Sequence, residues 1–306
     1  MRSRTHRSEP TGRRARTAVA TGAAALAAVV ALSGCEAVGG DDTAAGAAER
    51  GESPAPRPKR VWDTSPQSLA AVGDSITRGF DACSVLTDCP EASWATGTDR
   101  EVRSLADRLL GPTGATERSW NYARTGARMV DLPEQMHRAG AHRPELVTVL
   151  AGANDACRSS VRAMTPVADF RADFEQAMRT LRRQSPKTQV FVASVPDLKR
   201  LWSTGRDHPL GSQVWKLGVC PSMLKDADAV DGKAVARRTA VQERVVAYNR
   251  VLREVCAEDL RCRHDDGAVF DFRFQKDQLS EWDWFHPSKE GQSRLAELAY
   301  RAVTTD

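Results

Sequence analysis

Short apolar runs alternate with longer amphipathic stretches from about residue 67 onward. Apolar runs bounded by turn residues are typical of buried strands, whereas apolar residues at helical spacing predict helices. The predicted strands cover residues 69–72, 146–150, 189–195 and 268–272, with a further strand before Asn121. The predicted helices cover residues 101–110, 167–183, 234–256 and 289–302. This alternation indicates an α/β fold, a three-layer αβα sandwich with a central, mainly parallel sheet.

The N-terminal 34 residues have the pattern of an export signal. Arg13 and Arg14 precede an uncharged run over residues 17–32, which is shorter than the roughly 18–20 residues that span a bilayer. Leu32 at the end of this run is followed by Ser33, Gly34 and Cys35, and this Leu-Ser-Gly-Cys sequence resembles a bacterial lipobox. Residues 1–34 are therefore predicted to be a lipoprotein signal peptide, and Cys35 to carry the lipid. An ordinary signal peptide and a secreted protein are the alternative, and the twin-arginine route stays open.

Two further regions follow the signal. Residues 35–66 are rich in Ala, Gly, Glu, Asp, Ser and Pro and lack hydrophobic periodicity, so they predict a flexible tether. Residues 67–306 suit one folded domain. This organisation predicts a domain held at the outer face of a bacterial cell membrane by its lipid.

Composition narrows the classes of function. The chain is 41% hydrophobic and 27% charged, which excludes disorder throughout. Its net charge of +4 comes from the leader, because residues 1–34 hold six Arg and one acidic residue. The remainder has 38 basic and 39 acidic residues. A nucleic-acid partner is not expected, since such proteins need a concentrated basic face.

The cysteines agree with export. Six remain after Cys35 is set aside, and an even number in an exported chain suggests disulfides, although six allow fifteen full pairings. Close spacing favours Cys83 with Cys89 and Cys256 with Cys262, which leaves Cys157 with Cys220. Metal binding is the rival explanation. It is disfavoured because no C-x-x-C motif occurs and no His stands at ligand spacing from these cysteines.

Four short blocks carry the candidate chemistry, three of them at the ends of predicted strands and one near the C-terminus. They are Gly73-Asp74-Ser75-Ile76, Asn121-Tyr122-Ala123-Arg124-Thr125-Gly126, Gly152-Ala153-Asn154-Asp155 and Asp283-Trp284-Phe285-His286-Pro287. Ligands of open parallel sheets bind at the carboxyl ends of the strands. Each block alone is unspecific, because Ser75 fits an ordinary turn and Asn154 a helix cap.

In this order and at these spacings, the blocks resemble the SGNH (GDSL-type) hydrolase family over about residues 68–300. The resemblance implies an SGNH/flavodoxin-like fold and a serine ester hydrolase that works through an acyl-enzyme with no metal or organic cofactor. It implies that Ser75 is the nucleophile, His286 the base and Asp283 the carboxylate that orients the imidazole. One departure is Ile76, where the family motif has Leu; this conservative apolar change leaves the chemistry intact.

The resemblance also implies an oxyanion hole. Its donors would be the backbone N–H groups of Ser75 and Gly126 and the side-chain amide of Asn154. Each residue type has a chemical reason. A serine hydroxyl needs a nearby base, an imidazole titrates in the useful range, and fixed donors stabilise the charge of a tetrahedral intermediate.

Further segments are similar to the phospholipase B-type branch of the family. They are Ser93-Trp94-Ala95-Thr96-Gly97, Asp131-Leu132-Pro133, Gly152-Ala153-Asn154-Asp155-Ala156-Cys157, Val219-Cys220-Pro221-Ser222 and Phe285-His286-Pro287-Ser288. This similarity implies acyl ester or phospholipid substrates and again pairs Cys157 with Cys220. A carbohydrate or cell-wall O-deacetylase on the same triad is the alternative enzyme. A non-catalytic binding lipoprotein is the alternative outside enzymes, and the complete residue set argues against it.

The sequence offers few residues for an acyl-binding site. Six large apolar residues lie in predicted loops, where they would either line a groove or pack in the core, with packing favoured. They are Phe80, Trp94, Trp202, Trp215, Met223 and Leu224.

Overall fold

The computed structural model describes residues 61–305, which are built around a five-stranded parallel sheet. The strand order is β2-β1-β3-β4-β5. The strands are β1 Leu69–Gly73, β2 Ser119–Asn121, β3 Leu146–Leu150, β4 Gln189–Val192 and β5 Cys262–His264. Every residue of β1, β3 and β4 is buried, as expected for parallel strands that are covered on both faces.

Ten α-helices accompany the strands in residues 61–305. They are α1 Leu105–Glu117, α2 Leu132–Gly140, α3 Ala153–Ala156, α4 Val167–Gln184, α5 Leu198–Gly205, α6 Pro209–Trp215, α7 Pro221–Leu224, α8 Gly232–Ala257, α9 Ala268–Asp271 and α10 Lys289–Thr304. Helices α2, α4 and α8 pack side by side, and α1 packs against α10. The predicted α/β fold with helices flanking a parallel sheet is confirmed.

Helix α4 illustrates how the sequence specifies this packing. Its buried residues, among them Phe170, Phe174 and Leu181, recur at helical spacing and form one apolar face. Asp169 lies in its first turn and Arg182 in its last, so each charge interacts favourably with its end of the helix dipole. The apolar face packs between α2 and α8. Among residues 61–305, no helix combines the length and the apolar character needed to cross a membrane.

Helices α5, α6 and α7 form an insertion between β4 and α8, here called the α5–α7 segment (residues 198–224). Two contacts of Trp202 tie α5 to α8 and to the loop that precedes α8. The guanidinium of Arg238 is buried, stacks on the ring of Trp202 at 4.0 Å and donates to the carbonyl of Ala229. Trp202 Nε1 donates to the carbonyl of Ala227 at 2.9 Å. The segment is therefore part of the packed structure.

One predicted strand is wrong. Residues 268–271 form α9 and not a strand, Phe272 follows as its C-cap, and the fifth strand is Cys262–His264. Gly267 has a φ of 91°, and the carboxylate of Asp265 accepts the N–H groups of Gly267 and Val269. This turn starts a helical conformation that the short apolar run Ala-Val-Phe does not reveal, because periodicity cannot assign so short a run.

The helix predicted over residues 101–110 is displaced. Helix α1 begins at Leu105, because the side chain of Ser104 caps it by accepting the N–H of Asp107 at 3.2 Å. It continues to Glu117 across a kink at Gly111, whose φ is 71°.

The predicted tether ends too late. Trp62 packs against the core, and its Nε1 donates to the carbonyl of Val303 at 2.8 Å. The N–H of Asp63 donates to the side chain of Gln189 at 2.5 Å. Residues 61–66 therefore belong to the folded domain, held by one aromatic anchor within a polar stretch. The predicted signal peptide, Cys35 and residues 35–60 of the predicted tether lie outside the described residues.

Three disulfides are present in the part of the chain that the structure describes, and they are the pairings expected from the sequence. Cys83 is bonded to Cys89, Cys157 to Cys220, and Cys256 to Cys262. The Cys157–Cys220 bridge joins the end of α3 to the residue before α7 across 63 positions of sequence, whereas each of the others spans 6. The long bridge therefore restrains the unfolded chain most.

Replacing both Cys157 and Cys220 with Ser should lower the free energy of unfolding by about 4 kcal/mol, because the unfolded chain regains the entropy of a long loop. The same change at Cys256 and Cys262 releases a short loop and should cost about 2 kcal/mol. Urea denaturation of both double variants measures the difference. Equal losses would contradict the loop-length argument.

Candidate active site

Three of the four blocks meet at the carboxyl-terminal edge of the sheet. β1 lies between β2 and β3, so the chain segments that follow these three strands are neighbours. Ser75 follows β1, Gly126 follows β2 and Asn154 lies in α3 after β3. The fourth block, residues 283–287, reaches this edge from the loop before α10.

The turn that presents Ser75 requires glycine at its start. Gly73 has a φ of 152°, and a Cβ there would lie 2.2 Å from the carbonyl oxygen of Leu150. The side chain of Gln135 accepts the N–H of Gly73 at 2.7 Å and donates to its carbonyl at 3.0 Å. Asp74 Oδ1 accepts the N–H of Ile76 at 3.0 Å. These contacts fix the backbone on both sides of the serine.

Ser75, His286 and Asp283 form one hydrogen-bonded chain. Ser75 Oγ lies 2.9 Å from His286 Nε2, and His286 Nδ1 lies 2.5 Å from Asp283 Oδ2. Asp283 Oδ1 accepts the N–H groups of Phe285 and His286, each at 2.9 Å. The carboxylate therefore orients the imidazole through both of its oxygens, and the imidazole faces the hydroxyl.

The contact between Asp283 and His286 shifts the pKa values of both groups. Burial raises the pKa of Asp283, but the charge of His286 and hydrogen bonds from its ring and backbone outweigh burial and hold the pKa below its usual value. Burial lowers the pKa of His286, but the charge and hydrogen bond of Asp283 outweigh it, so the pKa lies above its usual value. The pair thus favours a carboxylate next to an imidazole of increased basicity.

Asp74, which precedes the serine, has a structural role in the turn. It is fully buried, and burial raises its pKa to about 7. Its Oδ1 holds the N–H of Ile76, whereas Oδ2 has no hydrogen-bond partner among the described residues. A neutral carboxyl suits this environment better than a charged one.

The predicted oxyanion-hole residues line the same cavity as Ser75 and His286. Gly126 has a φ of 80°, and no atom lies within 4 Å of the position its Cβ would occupy. A ligand can therefore approach the backbone at Gly126. Asn154 Nδ2 donates to the carbonyl of Ala127 at 3.0 Å, and the second N–H of this amide remains for a ligand.

The cavity has a volume of about 500 Å³ and is mainly apolar. Part of its wall comes from the α5–α7 segment, and part from the loop around residues 274–287. Its large apolar side chains are Ile76, Phe80, Val85, Leu86, Leu198, Leu201, Val214, Leu217, Val219, Phe274, Trp282 and Phe285.

Of the six residues considered from the sequence, Phe80 lines the cavity and the other five pack elsewhere. Trp94, Trp215, Met223 and Leu224 are buried in the core, and Trp202 packs beside it. Sequence reasoning missed the aliphatic residues of α5 and α6. The high amphipathicity of α5 is a local signal, but it does not distinguish a face that lines a cavity from one that packs.

The α5–α7 segment also holds the loop that carries Asp283. Trp215 Nε1 donates to the carbonyl of Asp283 at 2.7 Å. The ring of His208 stacks on Trp284 at 3.9 Å, and Trp284 has a φ of 49°, which is unusual for a bulky residue. Gly205 makes room for this loop, because a Cβ there would lie 2.7 Å from the carbonyl of Trp284. The same segment thus contributes to the cavity and to the position of the carboxylate.

The family model of the GDSL-like lipase/acylhydrolases matches residues 69–299. No match was found among curated proteins.

Three solved structures illustrate the structural similarity. A GDSL-like lipase from Parabacteroides merdae is 17% identical, with a TM-score of 0.48, over 80% of this chain and 99% of its own. A family 3 carbohydrate esterase from Clostridium thermocellum is 14% identical, with a TM-score of 0.44, over 77% and 94%. The lipase Lip_vut3 from a goat rumen metagenome is 15% identical, with a TM-score of 0.46, over 77% and 96%.

Proposed function

This chain belongs to the GDSL-like lipase/acylhydrolase family, and we propose that it hydrolyses lipid esters through an acyl-enzyme on Ser75. Family membership makes the protein an ester hydrolase. The observation that carries the proposed mechanism is the hydrogen-bonded chain from Ser75 through His286 to Asp283, which lies at the wall of an apolar cavity.

Acylation begins when His286 Nε2 takes the proton of Ser75 Oγ. The oxygen attacks the carbonyl carbon of the ester, and the resulting imidazolium is stabilised by the carboxylate of Asp283. His286 then returns the proton to the leaving alcohol as its bond to the acyl carbon breaks. Water, deprotonated by the same imidazole, hydrolyses the acyl-enzyme and restores Ser75.

The tetrahedral intermediate places negative charge on the former carbonyl oxygen. The proposed donors to it are the backbone N–H groups of Ser75 and Gly126 and the side-chain amide of Asn154. Their support is that all three residues line the cavity beside His286. Donors fixed in advance stabilise the transition state more than the ester, and each is typically worth about 10²–10³ in kcat.

The proposed substrates are esters with apolar acyl chains, including lysophospholipids, as in the phospholipase B-type branch. The support is the aliphatic and aromatic lining of the cavity, together with the sequence segments similar to that branch. An acetyl group would leave most of such a cavity unfilled. A carbohydrate deacetylase is therefore the less favoured function.

Ser75→Ala should abolish hydrolysis of a short-chain p-nitrophenyl ester and labelling by a fluorophosphonate, because it removes the attacking oxygen. The control is Ser84→Ala, which removes an exposed hydroxyl from the nearby loop and should retain both properties. Full activity in a folded Ser75→Ala variant would refute the mechanism. An unlabelled wild-type protein would favour a binding module.

With p-nitrophenyl esters of increasing chain length, kcat/KM should rise by up to about fourfold per added CH₂ until the cavity is filled, since each buried CH₂ contributes about 0.8 kcal/mol. Leu217→Asn should weaken this preference, because Leu217 lines the cavity. Its side chain is 84% exposed, so the substitution should leave the packed core intact. Leu210→Asn is the matched control, since Leu210 is also exposed but does not line the cavity. Preference for acetylated xylan over lysophospholipid would instead indicate a deacetylase.

We also propose that the protein is anchored at the outer face of the membrane by a diacylglyceryl group on Cys35. The support is the lipobox-like sequence, and two acyl chains satisfy the requirement for stable attachment. Cys35→Ser should release the protein to the medium or leave the precursor unprocessed, as followed by immunoblotting of membrane and medium fractions. A fully processed Cys35→Ser protein that stays in the membrane would contradict the proposal.

A further inference from the structure

A second carboxyl group lies behind the Asp283–His286 pair. Asp81 is only 2% exposed, and its carboxyl lies next to that of Asp283. An oxygen of Asp81, an oxygen of Asp283 and a ring nitrogen of His286 all lie within 4.8 Å of one another. Two buried carboxyl groups in contact favour a state in which one of them keeps a proton.

Local hydrogen bonds hold Asp81 in an unusual backbone conformation. Asp81 has a φ of 58°, a left-handed conformation that surrounding contacts must maintain. Its N–H donates to the carbonyl of Thr87 at 3.0 Å, and its Oδ1 accepts the N–H of Leu86 at 2.5 Å. The Cys83–Cys89 bridge closes the loop that contains Leu86 and Thr87, so these partners of Asp81 are held in place.

Ser280 joins this loop to the one that carries His286. Its Oγ donates to the carbonyl of Asp81 at 2.7 Å, and its N–H donates to the carbonyl of His286 at 2.7 Å. The side chain of Ser280 is buried. One residue therefore fixes the distance between Asp81 and the imidazole.

We propose that Asp81 is a positioning residue that acts on His286 through Asp283 and sets the pH range in which the imidazole is a base. This role rests on the proposed function of the site. At low pH the carboxyl of Asp81 donates its proton to a hydrogen bond with Asp283. At higher pH that proton leaves, and a second negative charge faces the imidazolium.

The electrostatics support this role. Burial, followed by the charge of Asp283, raises the pKa of Asp81 to about 6. The carboxyl groups that raise the pKa of His286 are Asp283, Asp81 and Asp74. Ionised Asp81 stabilises the protonated imidazole, so removing its charge must lower the pKa of His286.

The test is the pKa of His286, measured by NMR titration of its ring in the whole folded protein. The signal is assigned by its absence in His286→Gln. In Asp81→Asn, which keeps the shape and removes the charge, the pKa of His286 should fall by about one unit. The acid limb of kcat/KM should move to lower pH by the same amount. An unchanged pKa in Asp81→Asn would overturn the proposal.

Glu281→Gln is the matched control. It removes one negative charge two positions before Asp283, but Glu281 is exposed, so solvent screens its charge. The pKa of His286 should stay at the wild-type value in this variant. An equal fall in both variants would overturn the proposal, because any nearby charge would then suffice.

Two further measurements keep the result decisive. If Asp81→Asn does not fold, the wild-type titration decides: His286 should report two coupled ionisations, and a single ionisation would overturn the proposal. NMR does not depend on turnover, so it separates the two claims. A shifted pKa in a protein without esterase activity would refute the proposed function alone, whereas an active enzyme without the shift would refute the role of Asp81.

Discussion

The buried carboxylate of Asp283 imposes the strictest physical requirement in this protein. A charge removed from water needs hydrogen bonds and a positive partner to compensate for lost hydration. Two backbone N–H groups and the His286 ring provide them. The left-handed backbone of Trp284 is part of the tight turn that lets Asp283 reach these donors.

The sheet and the α5–α7 segment make complementary contributions to the site. Parallel strands bring Ser75, Gly126 and Asn154 to one edge, where regular backbone pairing limits their movement. The segment supplies aliphatic cavity wall and holds Asp283 through Trp215. Two of the three disulfides described above reinforce this arrangement: one closes the loop that follows Asp81, and the other links the end of α3 to the residue before α7.

Hydrophobic patterning predicted most of the fold because buried parallel strands and amphipathic helices leave local signals. It located β1, β3 and β4 and the helices α4, α8 and α10. It failed at residues 268–272, where backbone N–H groups that donate to the Asp265 carboxylate select a helical turn. It also missed that Trp62 belongs to the domain, since the contact with Val303 joins residues 241 positions apart.

By itself, the sequence determined that Ser75, Gly126 and Asn154 meet at the site, because short motifs at the ends of parallel strands must converge on one edge of the sheet. The resemblance to the SGNH family added Asp283 and His286 to them. Ser75, Asp283 and His286 lie in contact as those motifs implied. Only the tertiary structure decided the cavity lining and the place of Asp81. Asp81 and Asp283 are 202 positions apart, and Ser280 and the Cys83–Cys89 loop bring them together. Such contacts depend on packing between distant loops, which leaves no periodic or local pattern in the chain.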